Sequence, residues 1–562
     1  MDQKRKRILF VENTPLKIRA IVRALEERRY SPAVIHDLEQ ARSELKTHWW
    51  PLAVVDLRLV NDEDDQDFSG LELVRETDPN ITKLILTTYP TYQAAVQALQ
   101  PHPGKLPPAV DFLSKLDPLE QIVERIVGAL EVQTGINWML ETSFYDSFHS
   151  YHTLADWFHR RAQEDKPLRQ SVAESAHELE DLWGRLFSTQ TQITVYPSRR
   201  GRGDAFLSQV KPYTTAVEAM VVVKFGWRHD VDQEEKNYEK WVRPHAGPVC
   251  TQKQGIARTL NFAAIKYSLV GGHLHETQRF ADFYRVHEVS AILEAIHHLF
   301  GTACAPWYDL PRRSAPEGIS QRYRKGAKLV ERRAHLQEAV RRLAQQGADM
   351  GFTAQTLKSN VRFEWPGGPK LDLKTLESWL YDTPKALKDS PALAPFQESP
   401  THGDLNADNI LVDPQRRTWL IDFGRTGYGY RLRDFAELES CIALDLQSGE
   451  AGLAALVQFE KLVFSQERWK DGLALPPNFK AMIGNDDLIK AIQVIQELRS
   501  RARQWEEDGG ELRRYYLALL FEAILRLVTE GRDSPTEAPL PTRRAHALLR
   551  AATIIDALTR AE

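Results

Sequence analysis

Between residues 8 and 132, short apolar runs alternate with amphipathic stretches. ILFV (8–11), LAVVDL (52–57), KLILTT (83–88) and AVDFLSK (109–115) have strand length. Residues 18–25, 70–76, 93–99 and 119–132 repeat apolar positions at three- and four-residue spacing, the period of a helix. This alternation predicts a parallel sheet with helices on both faces. Ligands of such sheets sit at the carboxyl ends of the strands, and the polar residues there are Glu12, Asn13, Asp56, Thr87 and Lys115.

The pattern then changes. Trp138, Met139, Phe144, Phe148, Leu154, Trp157 and Phe158, then Val172, Ala176, Leu179, Leu182 and Leu186, predict packed amphipathic helices. Their aromatic stripe reads as core. ITVYPSRRGRGDAFLSQVKPY (193–213) predicts two strands around GRG, and MVVVKF (220–225) a strand carrying Lys224. DQEEKNYEKWV (232–242) predicts a helix offering Glu234, Glu235 and Glu239, and AAIKYSLVGG (263–272) a last strand with a glycine exit. Residues 319–346 form a long basic amphipathic segment, and FEWPGGPKLDL (363–373) a small hairpin. NILV (409–412) and WLIDFG (419–424) are short strands joined by the turn DPQRR. That hairpin brings Asn409 and Asp422 to one mouth, with Asp404 in the loop before. From 433 onward the pattern is helical.

At 562 residues, about three to four folding units are expected. A net charge of −4 argues against a dedicated nucleic-acid binder. No apolar run reaches the ~20 residues of a membrane helix, and MDQKRKRILF is too short in its apolar part for a signal peptide. Cys250, Cys304 and Cys441 lie far apart, with neither a disulfide framework nor zinc spacing. A reducing cytoplasm is the expected location.

Phosphoryl transfer needs metal ions across the phosphates, a residue that orients the attacking hydroxyl, and charge compensation. HGDLNADN (402–409) followed by IDFG (421–424) resembles the catalytic and metal motifs of the aminoglycoside phosphotransferase and choline kinase branch of the protein-kinase-like fold. The resemblance implies Asp404 as catalytic base, Asn409 and Asp422 as Mg²⁺ ligands, His402 as a brace and Asp434 as an anchor of the metal-binding loop. Upstream it implies an ATP site, with Gly201 and Gly203 at the phosphates, Lys224 as the strand lysine and Glu235, chosen from three glutamates, as its partner.

The first 131 residues resemble the receiver domain of bacterial response regulators. Asp56 is then the phospho-acceptor, Glu12 and Asn13 the acidic pair, Glu12 and Asp56 the Mg²⁺ ligands, Thr87 the switch hydroxyl and Lys115 the ion-pairing lysine. Asn13 stands where the family has a second carboxylate, and Leu116 where it usually has Pro. Mg²⁺ is commonly held by one or two carboxylates plus water, so the expectation is a weakened site. The acidic loop NDEDDQD (61–67) reads as a solvated loop.

The expected architecture is multidomain. It comprises an α/β doubly wound, flavodoxin-like receiver domain (1–131), a helical connector (132–190), and a two-lobed α+β protein-kinase-like domain. That domain has an N-lobe at 191–272 and a large helical C-lobe at 273–562, with the insertion near 363–373. The expected function is a signalling phosphotransferase moving the ATP γ-phosphoryl group to a hydroxyl acceptor, regulated through Asp56 by a sensor histidine kinase. The acceptor stays open among small molecule, protein side chain and nucleotide. The alternative is a nucleotide-binding, non-catalytic scaffold of a bacterial signalling or defence system.

Overall fold

The computed structural model describes residues 6–101, 107–145, 148–162, 168–196, 199–200, 205–214, 219–245, 250–270, 274–310, 313–315, 317–326, 331–357, 360–382, 396–506, 512–528 and 539–560. The chain divides into two compact units: residues 1–235 with 252–268, and residues 236–251 with 269–562.

The first unit opens with β1 (Arg7–Val11), α1 (Arg19–Glu27), β2 (Ser31–Ile35), α2 (Leu38–Thr47), β3 (Leu52–Val55), α3 (Ser69–Glu76), β4 (Thr82–Thr87), α4 (Tyr92–Leu99), β5 (Asp111–Ser114) and α5 (Leu119–Gly128). The strands pair in parallel in the order β2-β1-β3-β4-β5, the flavodoxin-like order. Alternate side chains feed two cores. Leu9, Val11, Ala53, Val55 and Ile85 pack on one face, while Ile8, Phe10, Leu52, Val54, Leu84 and Leu86 pack on the other. Burial on both faces makes β1, β3 and β4 continuous apolar runs. The sequence reading missed β2 and α2. As an edge strand, β2 is only half buried and tolerates Pro32.

A second sheet follows. Its elements are β6 (Glu141–Phe144), α6 (Tyr151–Ala162), α7 (Val172–Leu186), β7 (Gln192–Val195), β8 (Arg199–Arg200), β9 (Phe206–Tyr213), β10 (Val221–Trp227), α8 (Arg228–Asn237), β11 (Cys250–Arg258) and β12 (Phe262–Val270). The order is β11-β12-β10-β9-β7-β6, with β8 on β9. The supposed helical connector is therefore corrected at 141–144, which form an edge strand parallel to β7. Glu141 and Ser143 are exposed while Thr142 and Phe144 are half buried, a period of two that four residues hardly reveal. The aromatic stripe is core, as expected: Phe158 and Trp183 pack against Phe206, Phe225 and Phe262. A capping box of Ser171 and Glu174 starts α7.

In the second unit, Ile410–Val412 pairs antiparallel with Thr418–Leu420 and with Gln278–Arg279. Gln397–Thr401 pairs with Gly427–Tyr430 and with Arg313–Ser314. The predicted hairpin pairs Asn360–Glu364 with Lys370–Asp372, and Thr353–Leu357 joins as a third strand. Among the described residues, the chain beyond Tyr430 contains helices and no strand.

Those helices enclose charge. Glu439 accepts from Arg499 at 2.9 and 2.7 Å, from Arg550 at 2.8 Å and from Tyr515 at 2.9 Å. Glu460 accepts from Arg550 at 3.2 and 3.1 Å and sits 2.8 Å from His546 Nε2. Burial pushes the Glu439 carboxyl up, but Arg499 and Arg550 outweigh it and hold it below the ordinary carboxylate range. Breaking a buried pair strands the remaining charge and costs about 3–5 kcal/mol. Glu439→Ala is expected to destabilise the second unit by that amount in denaturant unfolding of the full chain, and a loss under about 1 kcal/mol would assign the network no more weight than surface pairs carry.

Candidate phosphoryl-transfer and receiver sites

The loop after strand Gln397–Thr401 is shaped by helix Arg433–Ser440. Asp434 accepts the backbone N–H groups of His402 at 2.8 Å and Gly403 at 2.9 Å, and the Tyr308 hydroxyl at 2.9 Å. One turn on, Glu437 accepts from the N–H of Leu405 at 3.1 Å. The expected anchoring role of Asp434 thus falls on the loop carrying Asp404. Gly403 sits at φ +77°, and a Cβ there would lie 2.4 Å from the Arg425 carbonyl oxygen. Only glycine satisfies both constraints.

Asp404 is buried, and Asn409 is bound to it. The Asn409 amide donates to the Asp404 carbonyl at 2.8 Å and approaches its Oδ2 at 3.4 Å. Both contacts use the NH₂ side of the amide, so its oxygen is the atom left for a cation. Ile410 faces Leu420 in the hairpin, and Ile421 N–H donates to the Asn409 carbonyl at 3.1 Å. Asp422 follows directly, half buried, at φ +70°. Left-handed backbone at a non-glycine residue is strained and concentrates at functional sites. His402 braces this turn, its Nε2 lying 3.1 Å from the Ile421 carbonyl oxygen. Asn237 holds the other side, donating to the carbonyls of Phe423 at 3.1 Å and Gly424 at 2.8 Å. Asp413 is structural: it accepts the backbone N–H and Nε of Arg417, both at 2.8 Å, closing the turn.

In the first unit, Lys224 on β10 forms a buried ion pair with Glu234 of α8, and the Tyr267 hydroxyl donates to Glu234 at 2.9 Å. This corrects the choice of Glu235, which instead pairs with Lys253 at 2.8 Å and with Arg258. Helical phase explains the difference. Val231 and Glu234 share the buried face of α8, and the next residue turns about 100° away. Gly201 and Gly203 lie outside the described residues.

Glu12, Asn13, Asp56, Thr87 and Lys115 all lie at the carboxyl ends of strands of the first sheet, and three of them meet. Lys115 Nζ reaches Glu12 at 2.5 Å and Asp56 at 2.6 Å. Thr87 is fully buried, and its hydroxyl accepts from the N–H of Tyr89 at 3.1 Å. Burial raises the Glu12 carboxyl above its ordinary range and Asp56 adds to this, while Lys115 opposes both. Asn13 donates to Asp62 at 3.4 Å, and Lys17 pairs with the same carboxylate at 2.5 Å. The acidic loop is thus tied to the site at one residue. Gly70 lets α3 approach, since a Cβ there would lie 1.7 Å from the Asp56 carbonyl oxygen.

The sequence reading missed Asn237, Glu437, Gly70 and Asp62. Each acts through a fold-dependent contact that no local pattern announces. One candidate metal set pairs the Asp422 carboxylate with the Asn409 amide and the other joins two carboxylates, Glu12 and Asp56; such hard oxygen donors suit Mg²⁺ with its retained waters. Among the described residues, no group of three or more His, Cys, Asp or Glu gathers as metal ligands.

Residues 267–440 match the model of the phosphotransferase enzyme family, and residues 370–527 match that of ternary complex associated domain 9. Both matches include Asp404, Asn409 and Asp422. Solved structures similar to part of this chain include receiver domains. A CheY-like response regulator receiver protein from Methanospirillum hungatei is 21% identical, covers 23% of this chain and 95% of its own, and has a TM-score of 0.20. A Francisella response regulator receiver domain is 17% identical over 23% and 98%, with a TM-score of 0.20. A signal receiver domain from Pseudomonas fluorescens is 21% identical over 23% and 98%, with a TM-score of 0.20. A search of curated proteins returns no match. The chain carries a parallel α/β domain of flavodoxin-like strand order at its amino end, and its residues 267–440 are similar to the phosphotransferase enzyme family.

Gly403→Ala is expected to lower the stability of the second unit by about 1–3 kcal/mol from backbone strain, and by more if Arg425 cannot retreat. Gly301→Ala, whose Cβ meets nothing within 4 Å, is the control. Equal thermal midpoints for the two variants would refute the constraint at Gly403.

Proposed function

We propose that this protein transfers the ATP γ-phosphoryl group to a hydroxyl acceptor in a Mg²⁺-dependent reaction. The observation that carries this reading is the buried Asp404, bonded to Asn409 beside the strained turn of Asp422. Asp404 orients the acceptor hydroxyl and takes its proton. Asn409 and Asp422 hold Mg²⁺, which when bound offsets charge on the phosphates. Lys224, fixed by Glu234, binds phosphate oxygens, together with Gly201 and Gly203. Asn237 and His402 keep the Asp422 turn in register.

Under the same reading, Asp56 accepts a phosphoryl group from a sensor histidine kinase, with Glu12 and Asp56 holding Mg²⁺ and Thr87 and Lys115 meeting the acyl phosphate. The protein acts in the cytoplasm. Among the described residues, no helix is long and apolar enough to cross a membrane.

A second reading is a nucleotide-binding scaffold without turnover. The match of residues 370–527 to ternary complex associated domain 9 favours it.

Mg²⁺-dependent ADP release from ATP separates the two readings. Asp404→Ala is expected to lower turnover by about 10²–10⁴-fold while ATP still binds, and turnover that survives this change would remove the proposed base. The receiver is tested with radiolabelled acetyl phosphate. Wild-type protein is expected to take up acid-stable, base-labile label and Asp56→Asn none, and equal labelling would move the acceptor elsewhere.

A further inference from the structure

The helix bearing Glu234 starts against the receiver. Arg228, the first residue of α8, pairs with Asp78 in the turn between α3 and β4, and its Nη1 donates to the Thr259 carbonyl at 3.1 Å. Asp232, one turn on, lies 3.5 Å from the same guanidinium. Asp78 is thereby placed at the amino end of α8, where a negative charge is favourable.

A second attachment runs beside the first. The receiver residue Trp49 donates its indole N–H to Asp181 of α7 at 2.9 Å and its backbone N–H to Gln170 at 3.1 Å. Gln170 donates to Glu178, which is fully buried and accepts the backbone and side-chain N–H groups of Asn261 at 2.6 and 2.9 Å. Asn261 in turn accepts the backbone N–H of Arg228 at 2.9 Å. Leu260, in the same turn, packs against the receiver's own core. Arg185 of α7 lies over the Trp49 ring at 4.9 Å and donates to the Arg258 carbonyl at 2.8 Å. Arg258 then pairs with Asp232 and Glu235 of α8. These contacts all leave the receiver at the amino edge of its sheet, the edge away from Asp56.

We infer that the receiver is a built-in part of the nucleotide site, with Asp78 acting on Arg228 as a positioning residue for the Lys224–Glu234 pair. The receiver fixes the start of α8, the helix sets the phase of Glu234, and Glu234 holds the Lys224 ammonium. This inference rests on the reading of Lys224 as a phosphate-binding residue.

Asp78→Asn, Arg228→Lys and the double variant, made in the full chain, test it. Amide hydrogen exchange in residues 231–237 reads the position of α8, and titration with Mg²⁺–ATP reads the site. Asp78→Asn is expected to speed exchange in that segment about tenfold with the global unfolding midpoint nearly unchanged, and to weaken ATP binding about five- to twentyfold. The double variant should add little to either single change, and Asp78→Glu should restore both readouts. Unchanged exchange in α8 overturns the inference, as does an additive double variant. Faster exchange with unaltered ATP affinity upholds the positioning of α8 and instead removes Lys224 from the phosphates.

Discussion

One carboxylate organises the second unit's candidate site. Asp434 takes two consecutive backbone N–H groups, those of His402 and Gly403, and a tyrosine hydroxyl besides. Hydrogen bonds to a charged group contribute about 1.5–3 kcal/mol each, and a buried carboxylate is tolerable only when its lone pairs are engaged. Folding the chain onto Asp434 forces the left-handed turn at Gly403, and that turn presents Asp404 to Asn409. The side chains that would do chemistry thus owe their placement to one that does none.

The same logic recurs at the other two charged centres. Lys224 would be costly to bury alone and is satisfied by Glu234. Lys115 is satisfied twice, by Glu12 and by Asp56. Two buried carboxylates near one another repel, and the intervening ammonium relieves the repulsion. Position 13 carries an amide, so no third carboxylate there adds to the negative charge that Lys115 offsets. The acidic loop brings Asp62 back to the Asn13 amide, where Lys17 neutralises it.

What the sequence disclosed depended on how local each cause is. Strands buried on both faces stand out as apolar runs, which is why β1, β3, β4 and the Ile410–Leu420 hairpin were legible. The edge strands β2 and β6 were not, because half-burial weakens the apolar signal and Pro32 looks like a breaker. Motif spacing singled out Asp404, Asn409 and Asp422, and the structure joins the first two by hydrogen bonds. The choice between Glu234 and Glu235 was decidable in principle: Val231 lies three residues before Glu234, on one helical face. Asn237 and Gly70 carry no such signal. One acts on backbone carbonyls 186 and 187 residues away, and the other matters for the atom a side chain would displace.

The contacts of the carboxylates also distinguish structural from chemical roles. Glu439 is enclosed by two guanidiniums and a hydroxyl within 2.9 Å, and such a group has nothing left to offer a substrate. Asp404 lies 4.0 Å from Arg425, whose side chain is 49% exposed. Across that distance, with water on one side, the attraction is worth at most about 1 kcal/mol. In the proposed reading the general base is Asp404, paired at 4.0 Å with a half-exposed Arg425, and not Glu439, which is held by two buried guanidiniums.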